Sequence, residues 1–283
     1  MKKIALFIAA VISAPALAWT NGDITKELNF GGSITPEEYS QLWRWKVGTG
    51  LNDFRHNISD MTQDLKKLTI TMESPKGLLY GETVKAITAT EGMGATPNIA
   101  FTDYEKNTVT LEQDSSDDAG RGHMTLPIKD EQNNKIGTLK LNLTAVGIAA
   151  GPRNGGPFAV SIRASDNNHA LNGGLFSRSV SNAYREANGL IIDFGAKQLN
   201  DLRNIAWQHP LLQGTTPGSW ASLTWAAPIE FKENPEFEFT HGITTASYVL
   251  GINTGQTMEA TFDSPLTATT KWSAPLNVAV TYN

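Results

Sequence analysis

The chain has 283 residues, no cysteine, and 28 acidic against 23 basic side chains, for a formal charge of −5. The missing thiols exclude disulfides and argue against a structural zinc site, while the acidic balance argues against nucleic acid or an anionic membrane surface as partner. A single all-β domain or two smaller domains fit this length, and either buries a core of ordinary size.

In chain order, the first feature is an export signal. Lys2 and Lys3 precede an apolar stretch from Ile4 to Ala14 broken only by Ser13, and Ala16-Leu17-Ala18 follows Pro15 as a small-residue cleavage site. Residues 1–18 therefore read as a signal peptide, too short to span a bilayer, and stand outside the fold. Losing the two lysines takes the charge from −5 to −7. Next, Ile24, Leu28, Phe30 and Ile34 share one parity, interrupted by Lys26 and Gly32, as in a half-buried strand. Short β-rich runs with turn residues between them recur at Leu68–Met72, Asn98–Phe101, Thr108–Leu111, Met124–Ile128, Ile136–Leu143, Tyr248–Ile252 and Met258–Phe262. Regular short strands of this kind predict a sandwich or barrel.

The middle differs. Gly147 to Gly174 is rich in Gly, Asn and Pro, and the segment after it carries Tyr184, Ala187, Leu190, Ile191 and Phe194, then Leu199, Leu202, Ile205 and Ala206. Spacings of three and four predict two short helices within Ser181–Trp207, parted at Gly195 and barred from extending past His209 by Pro210. Residues from about 147 to 240 thus read as an insertion carried by a β-sandwich. The last segment alternates again, with Leu276, Val278, Val280 and Tyr282 on one parity.

Catalytic and metal signatures are sparse. His56, His123, His169, His209 and His241 lack any H-x-x-x-H or H-E-x-x-H spacing, and Asp114, Asp117 and Asp118 depart from the alternate-residue order of a calcium loop, so this stretch reads as a solvated acidic loop. No G-x-S-x-G elbow, phosphate loop or dinucleotide fingerprint occurs, and Gly48-Thr49-Gly50 lacks its third glycine. The expectation is a protein with no catalytic residue, metal or cofactor. Asn57-Ile58-Ser59 and Asn142-Leu143-Thr144 match the short glycosylation sequon.

The two alternating ends point elsewhere. Exposed strand edges are templates for pairing with another chain, so a chain bounded by them is suited to polymerise. Three stretches, GGSITPEEYSQLWRWKVGTGLNDF from Gly31, TPNIAFTDYE from Thr96 and SYVLGINTGQTMEATFDSPLTATTKWSAPLNVAVTYN from Ser247, resemble the FaeG-type major adhesive subunits of enterobacterial chaperone–usher fimbriae. The resemblance is close over the first 130 or so residues and the last 40, and fades between about Gly147 and Thr240. It implies an incomplete immunoglobulin-like sandwich (residues 31–283) lacking its last strand, an N-terminal donor strand (19–30), and transit through the periplasm to a surface fimbrium. A periplasmic chaperone, an outer-membrane usher and neighbouring copies are the implied partners, and the insertion is the implied binding region for host glycoconjugates.

Strand addition into a groove beside the last strand agrees with the residues themselves. The donor would present Ile24, Leu28 and Phe30, and the acceptor and chaperone-facing strand Leu276, Val278, Val280 and Tyr282. In an isolated chain, Trp19 to Phe30 is then expected to project or lie loosely, swinging on Gly31-Gly32. For glycan, Trp207, Trp220 and Trp225 offer flat apolar faces, with Asp166, Asn167, Asn168 and His209 as hydroxyl partners, although tryptophan is equally a packing residue. Trp43, Trp45 and Trp272 read as core. The alternative function is a structural or minor subunit that polymerises without binding a receptor.

Overall fold

The computed structural model describes residues 42–87, 96–114, 117, 119–153, 156–163, 169–178, 183–210 and 243–282, together with short strands at 20–21, 24–27, 32–33 and 229–230. Four strands come from the N-terminal part: β1 (Thr20–Asn21), β2 (Ile24–Glu27), β3 (Gly32–Ser33) and β4 (Trp43–Val47). Seven more follow: β5 (Lys67–Thr71), β6 (Lys76–Thr83), β7 (Pro97–Asp103), β8 (Thr108–Val109), β9 (Arg121–Asp130), β10 (Lys135–Arg153) and β11 (Gly156–Arg163). Helices α1 (Ala183–Asp193) and α2 (Leu199–Trp207) precede β12 (Ile229–Glu230), β13 (Thr245–Ile252), β14 (Thr257–Phe262), β15 (Trp272–Ser273) and β16 (Leu276–Tyr282).

The strands form two sheets, neither closed into a barrel among the described residues. The smaller runs β3-β2-β16-β7-β8. In the larger, the 19-residue β10 does double duty. Its first part pairs with β9 on one side and β14 on the other, and β14 carries β5; its second part pairs with β13 and β11, and β13 continues through β6 and β4 to β1. Because side chains alternate along a strand, one strand serves two interiors. Ala145 and Ala149 join the core that lies between the sheets, with Trp43, Trp45, Leu126, Tyr248 and Val280, whereas Val146, Ile148 and Ala150 join a second core on the opposite face. The protein is a β-sandwich with a helical layer packed on one of its sheets.

That layer is the predicted helix pair. Ala187, Ile191, Phe194, Leu199 and Leu202 supply its buried face against Tyr80, Ala159 and Val249. Gly195 ends the first helix at φ +66, where its N–H reaches the Ile192 carbonyl at 2.8 Å and that of Ala196 reaches Ile191 at 2.9 Å. Glycine enters this left-handed conformation without steric penalty. The helices also lie close to the sheet: a Cβ on Gly251 of β13 would come within 2.5 Å of the Phe194 ring and 2.6 Å of the Lys76 carbonyl. Polar ties complete the docking. Glu82, only 2% exposed, pairs with Arg44 of β4 and with Lys197 of the interhelical turn at 2.8 Å; Thr245 donates to the Leu202 carbonyl at 2.9 Å.

The Gly- and Pro-rich stretch from Gly147 is strand, since β10 runs unbroken to Arg153 and returns as β11 through Arg163. At residues 146–151 and 159–162 this hairpin is buried on both faces and lacks the alternation that marks a half-exposed strand. The N-terminal segment, expected to lie loosely, instead pairs its backbone with the same chain's β16, and Gly32 forms a short antiparallel pair with Lys26 rather than a free hinge. Physically, without β2 the β16 edge would present unpaired N–H and C=O groups, and the chain's own segment satisfies them.

Candidate assembly edge and helical insert

β16 is the junction of the smaller sheet. On one side it pairs with β7 along its whole length, Leu276 opposite Asp103 through Tyr282 opposite Pro97. On the other it takes β2 antiparallel, with Val280 opposite Ile24, Val278 opposite Lys26 and Asn277 opposite Glu27. Leu276, Val278 and Val280 are 1–4% exposed and contribute to the main core. The expected acceptor residues thus line one face of one strand, and its free edge is filled by a segment from the N-terminal region. Of the expected donor residues, Ile24 is placed by register, while Leu28 and Phe30 lie outside the described residues.

The structure adds an anchor that the alternating pattern did not reveal. Tyr282 accepts a hydrogen bond from the Trp45 indole N–H at 2.8 Å, tying the last residue of β16 to the first strand of the sandwich proper. Trp45 is fully buried, stacked on Trp43 at 5.6 Å and edge-on to Tyr248 at 6.1 Å. The Tyr248 hydroxyl in turn donates to the Gly174 carbonyl at 2.7 Å, and burial pushes its pKa well above the ordinary value. Trp43 and Trp45 are core residues as expected, and Trp272 packs partly buried against Phe262. The Asn142 sequon is occupied differently: its amide donates to Thr257 at 2.7 Å and Glu259 at 3.2 Å. Glu259 also meets Lys67 at 2.7 Å, and these contacts, Lys67 first, hold its carboxyl below the usual range.

In the insert, Trp207 closes α2, half-buried, and His209 follows two residues later, also half-buried, its N–H on the Ala206 carbonyl at 3.2 Å. Helix α2 thereby brings these two of the expected glycan contacts to one end of the layer. Asp166, Asn167, Asn168, Trp220 and Trp225 lie outside the described residues. The helical layer itself is fixed to the sandwich through the second core and the Glu82 pairs, so whatever its outer face contacts is held on a rigid support.

The described residues thus form a β-sandwich whose C-terminal strand carries an N-terminal segment along one edge. The chain belongs to the family described as "Fimbrial, major and minor subunit", which matches residues 1–191. It is 37% identical over 292 residues to K88 fimbrial protein AC of Escherichia coli and 36% identical over 294 residues to K88 fimbrial protein AD of the same species, covering 100% of both chains in each case. A weaker likeness, 26% over 178 residues, covers 61% of this chain and 67% of the K88 minor fimbrial subunit FaeI of Escherichia coli. This chain is therefore a fimbrial subunit, a component of the cell-surface fimbrium.

Proposed function

We propose that the subunit polymerises by donor-strand complementation and that the fibre it builds adheres to host glycans through the insert. The observation that carries the first half is the β16 edge, filled antiparallel by residues 24–27. In the fibre the same edge receives the N-terminal segment of the next copy: main-chain hydrogen bonds supply affinity, and alternate side chains supply register. Before assembly a periplasmic chaperone covers the edge and an outer-membrane usher exchanges it. Each buried donor side chain contributes roughly 1.5–3 kcal/mol gross, before ordering costs.

The second half rests on the division of labour in the fold. Assembly uses the smaller sheet, while the helical layer sits on the far face of the larger one and is free of that task. Trp207 and His209, with the expected Trp220, Trp225, Asp166 and Asn168, are the proposed sugar contacts. A sugar stacked on one indole binds at about millimolar strength, and repetition along a fibre converts this into firm attachment. The chain acts as a ligand-binding and structural protein and not as an enzyme.

The test has two arms. Deleting residues 19–30 is expected to abolish fibres while leaving the chaperone complex intact; fibres of normal length would overturn the donor assignment. A glycan array on fibres carrying Trp207→Ala, Trp220→Ala or Trp225→Ala is expected to lose signal in at least one variant with unchanged thermal stability. Wild-type fibres that bind no glycan would establish the subunit as structural, a reading favoured by the partial likeness to a minor subunit.

A further inference from the structure

We propose that the loop between β8 and β9 holds a divalent transition-metal ion of the zinc class on Asp114, Asp117 and His123. The sequence conceals this set, because His123 stands in β9 while the two aspartates precede it in the loop. The fold unites them by a backbone bridge: Glu112 and His123 exchange N–H to carbonyl bonds, both 2.8 Å. One ligand atom from each of Asp114, Asp117 and His123 then lies within 4.8 Å of the others.

The imidazole carries the argument. Its side chain is 12% exposed, and a carboxylate faces each ring nitrogen: Glu112 Oε2 lies 3.4 Å from Nε2, Asp114 Oδ2 3.9 Å from Nδ1. Glu112 thus stands beside Nε2, where outer-shell carboxylates stand on metal-bound histidines, and Nδ1 faces Asp114. The gap between Nδ1 and the Asp114 oxygen is too wide for a hydrogen bond. An ion placed between them would be ligated by both. Ligands at about 2.0–2.2 Å from zinc stand roughly 3.4 Å apart at the tetrahedral angle, so the 3.9 Å pair closes by about half an ångström and a pair at the 4.8 Å limit by somewhat over one.

The loop is also built to hold its carboxylates in place. Arg178 spends its guanidinium on the Asp114 carbonyl at 2.8 Å and on that of Asp117, and its backbone N–H on Gln113 at 2.7 Å, while Gln113 donates to the Arg121 carbonyl at 2.7 Å. The arginine thus fixes the backbone without ion-pairing with Asp114 or Asp117 in any of these contacts. One oxygen of Asp117 accepts from the Asp114 N–H at 2.6 Å, leaving the other for the ion. Mixed carboxylate and imidazole ligation suits Zn²⁺ over Ca²⁺ or Mg²⁺, which take oxygen donors alone.

The experiment titrates chelator-treated, tag-free mature protein with Zn²⁺, with Ca²⁺ and Mg²⁺ as controls, by isothermal calorimetry and thermal unfolding. One Zn²⁺ per chain and a rise in melting temperature are expected, with at least tenfold weaker binding in Asp114→Asn and His123→Gln. Glu112→Gln, which touches only the outer nitrogen, should weaken Zn²⁺ binding less than either. Asp114 is exposed, so its variant folds and keeps the test decisive even if His123→Gln does not. Absence of Zn²⁺ binding, equal affinity for Ca²⁺, or Zn²⁺ binding unaffected by Asp114→Asn would overturn the proposal.

Discussion

Replacing Tyr282 by phenylalanine removes one hydroxyl and asks whether β16 is anchored by its edge pairing alone or also by the core. In the native chain that hydroxyl is the acceptor for the Trp45 indole N–H at 2.8 Å, and Trp45 has no exposed surface. The phenylalanine ring keeps the packing, so the change isolates the polar term. A buried donor left without its acceptor costs about 1–3 kcal/mol. For a domain of roughly 150–250 residues each kcal/mol lowers the melting temperature by about 2–4 °C, which gives an expected fall of roughly 2–12 °C. The loss is directional as well. Trp45 belongs to β4 and Tyr282 to β16, so the variant should expose the amides at the end of β16 to hydrogen exchange while those of β9 and β13 stay protected. Tyr282→Ala should fall further, since it also gives up ring packing against the main core. Thermal unfolding and exchange on the complete subunit make both measurements. A Tyr282→Phe melting temperature equal to wild type, with unchanged exchange over residues 280–282, would refute the anchor.

Lys197→Met removes one of two cations from the buried Glu82 and should cost about 1–3 kcal/mol in denaturant unfolding, with helical signal lost before strand signal. Tyr248→Phe should destabilise at neutral pH by about 1–3 kcal/mol through the unsatisfied Gly174 carbonyl. Because burial raises the Tyr248 pKa above its unfolded value near 10, the native chain loses this stability as pH climbs past that point; the phenylalanine variant, with nothing to ionise, should close the gap in alkaline melts. Glu259→Gln reads the opposite sign: the depressed carboxyl stabilises above its ordinary value of 4.5 and loses that contribution as pH falls through the lower folded value. The stability difference between wild type and Glu259→Gln should therefore shrink in acid, as followed by melting temperature against pH.

What the sequence made legible was governed by exposure. The alternation of Leu276 to Tyr282 delimits β16 to the residue, and the helical spacing around Ala187, Ile191, Phe194 and Leu202 gives both helices and the turn at Gly195. Each of these elements has a wet side and a dry side, and pattern reading detects that contrast. It failed where both sides are dry. Lys76–Thr83, with two glycines in eight residues, and the stretch from Gly147 to Arg153 are strands enclosed between a core and further structure, so small residues replace the alternating ones. The sandwich and its last strand could thus be read, and the helical layer too, but not the hairpin on which that layer rests. Among the singled-out residues, the shared buried face of Leu276, Val278 and Val280 followed from parity alone. The Trp45 to Tyr282 bond and the approach of His123 to Asp114 join positions distant in sequence or separated by a turn, and no local pattern records them.

One strand with two dry faces also has an evolutionary consequence. In β10, residues of one parity answer to the sandwich and those of the other to the helices, so the chain carries two sets of packing constraints interleaved at single-residue spacing. Substitutions at Val146 or Ile148 are felt by the helical layer, and those at Ala145 or Ala149 by the core between the sheets. A lineage under pressure to change its outward surface can drift through the helical residues and their underlying parity while the other parity, and with it compatibility with older copies in the same fibre, stays fixed. Variation and interchangeability are thereby separated within one stretch of backbone, by nothing more than the alternation of side chains.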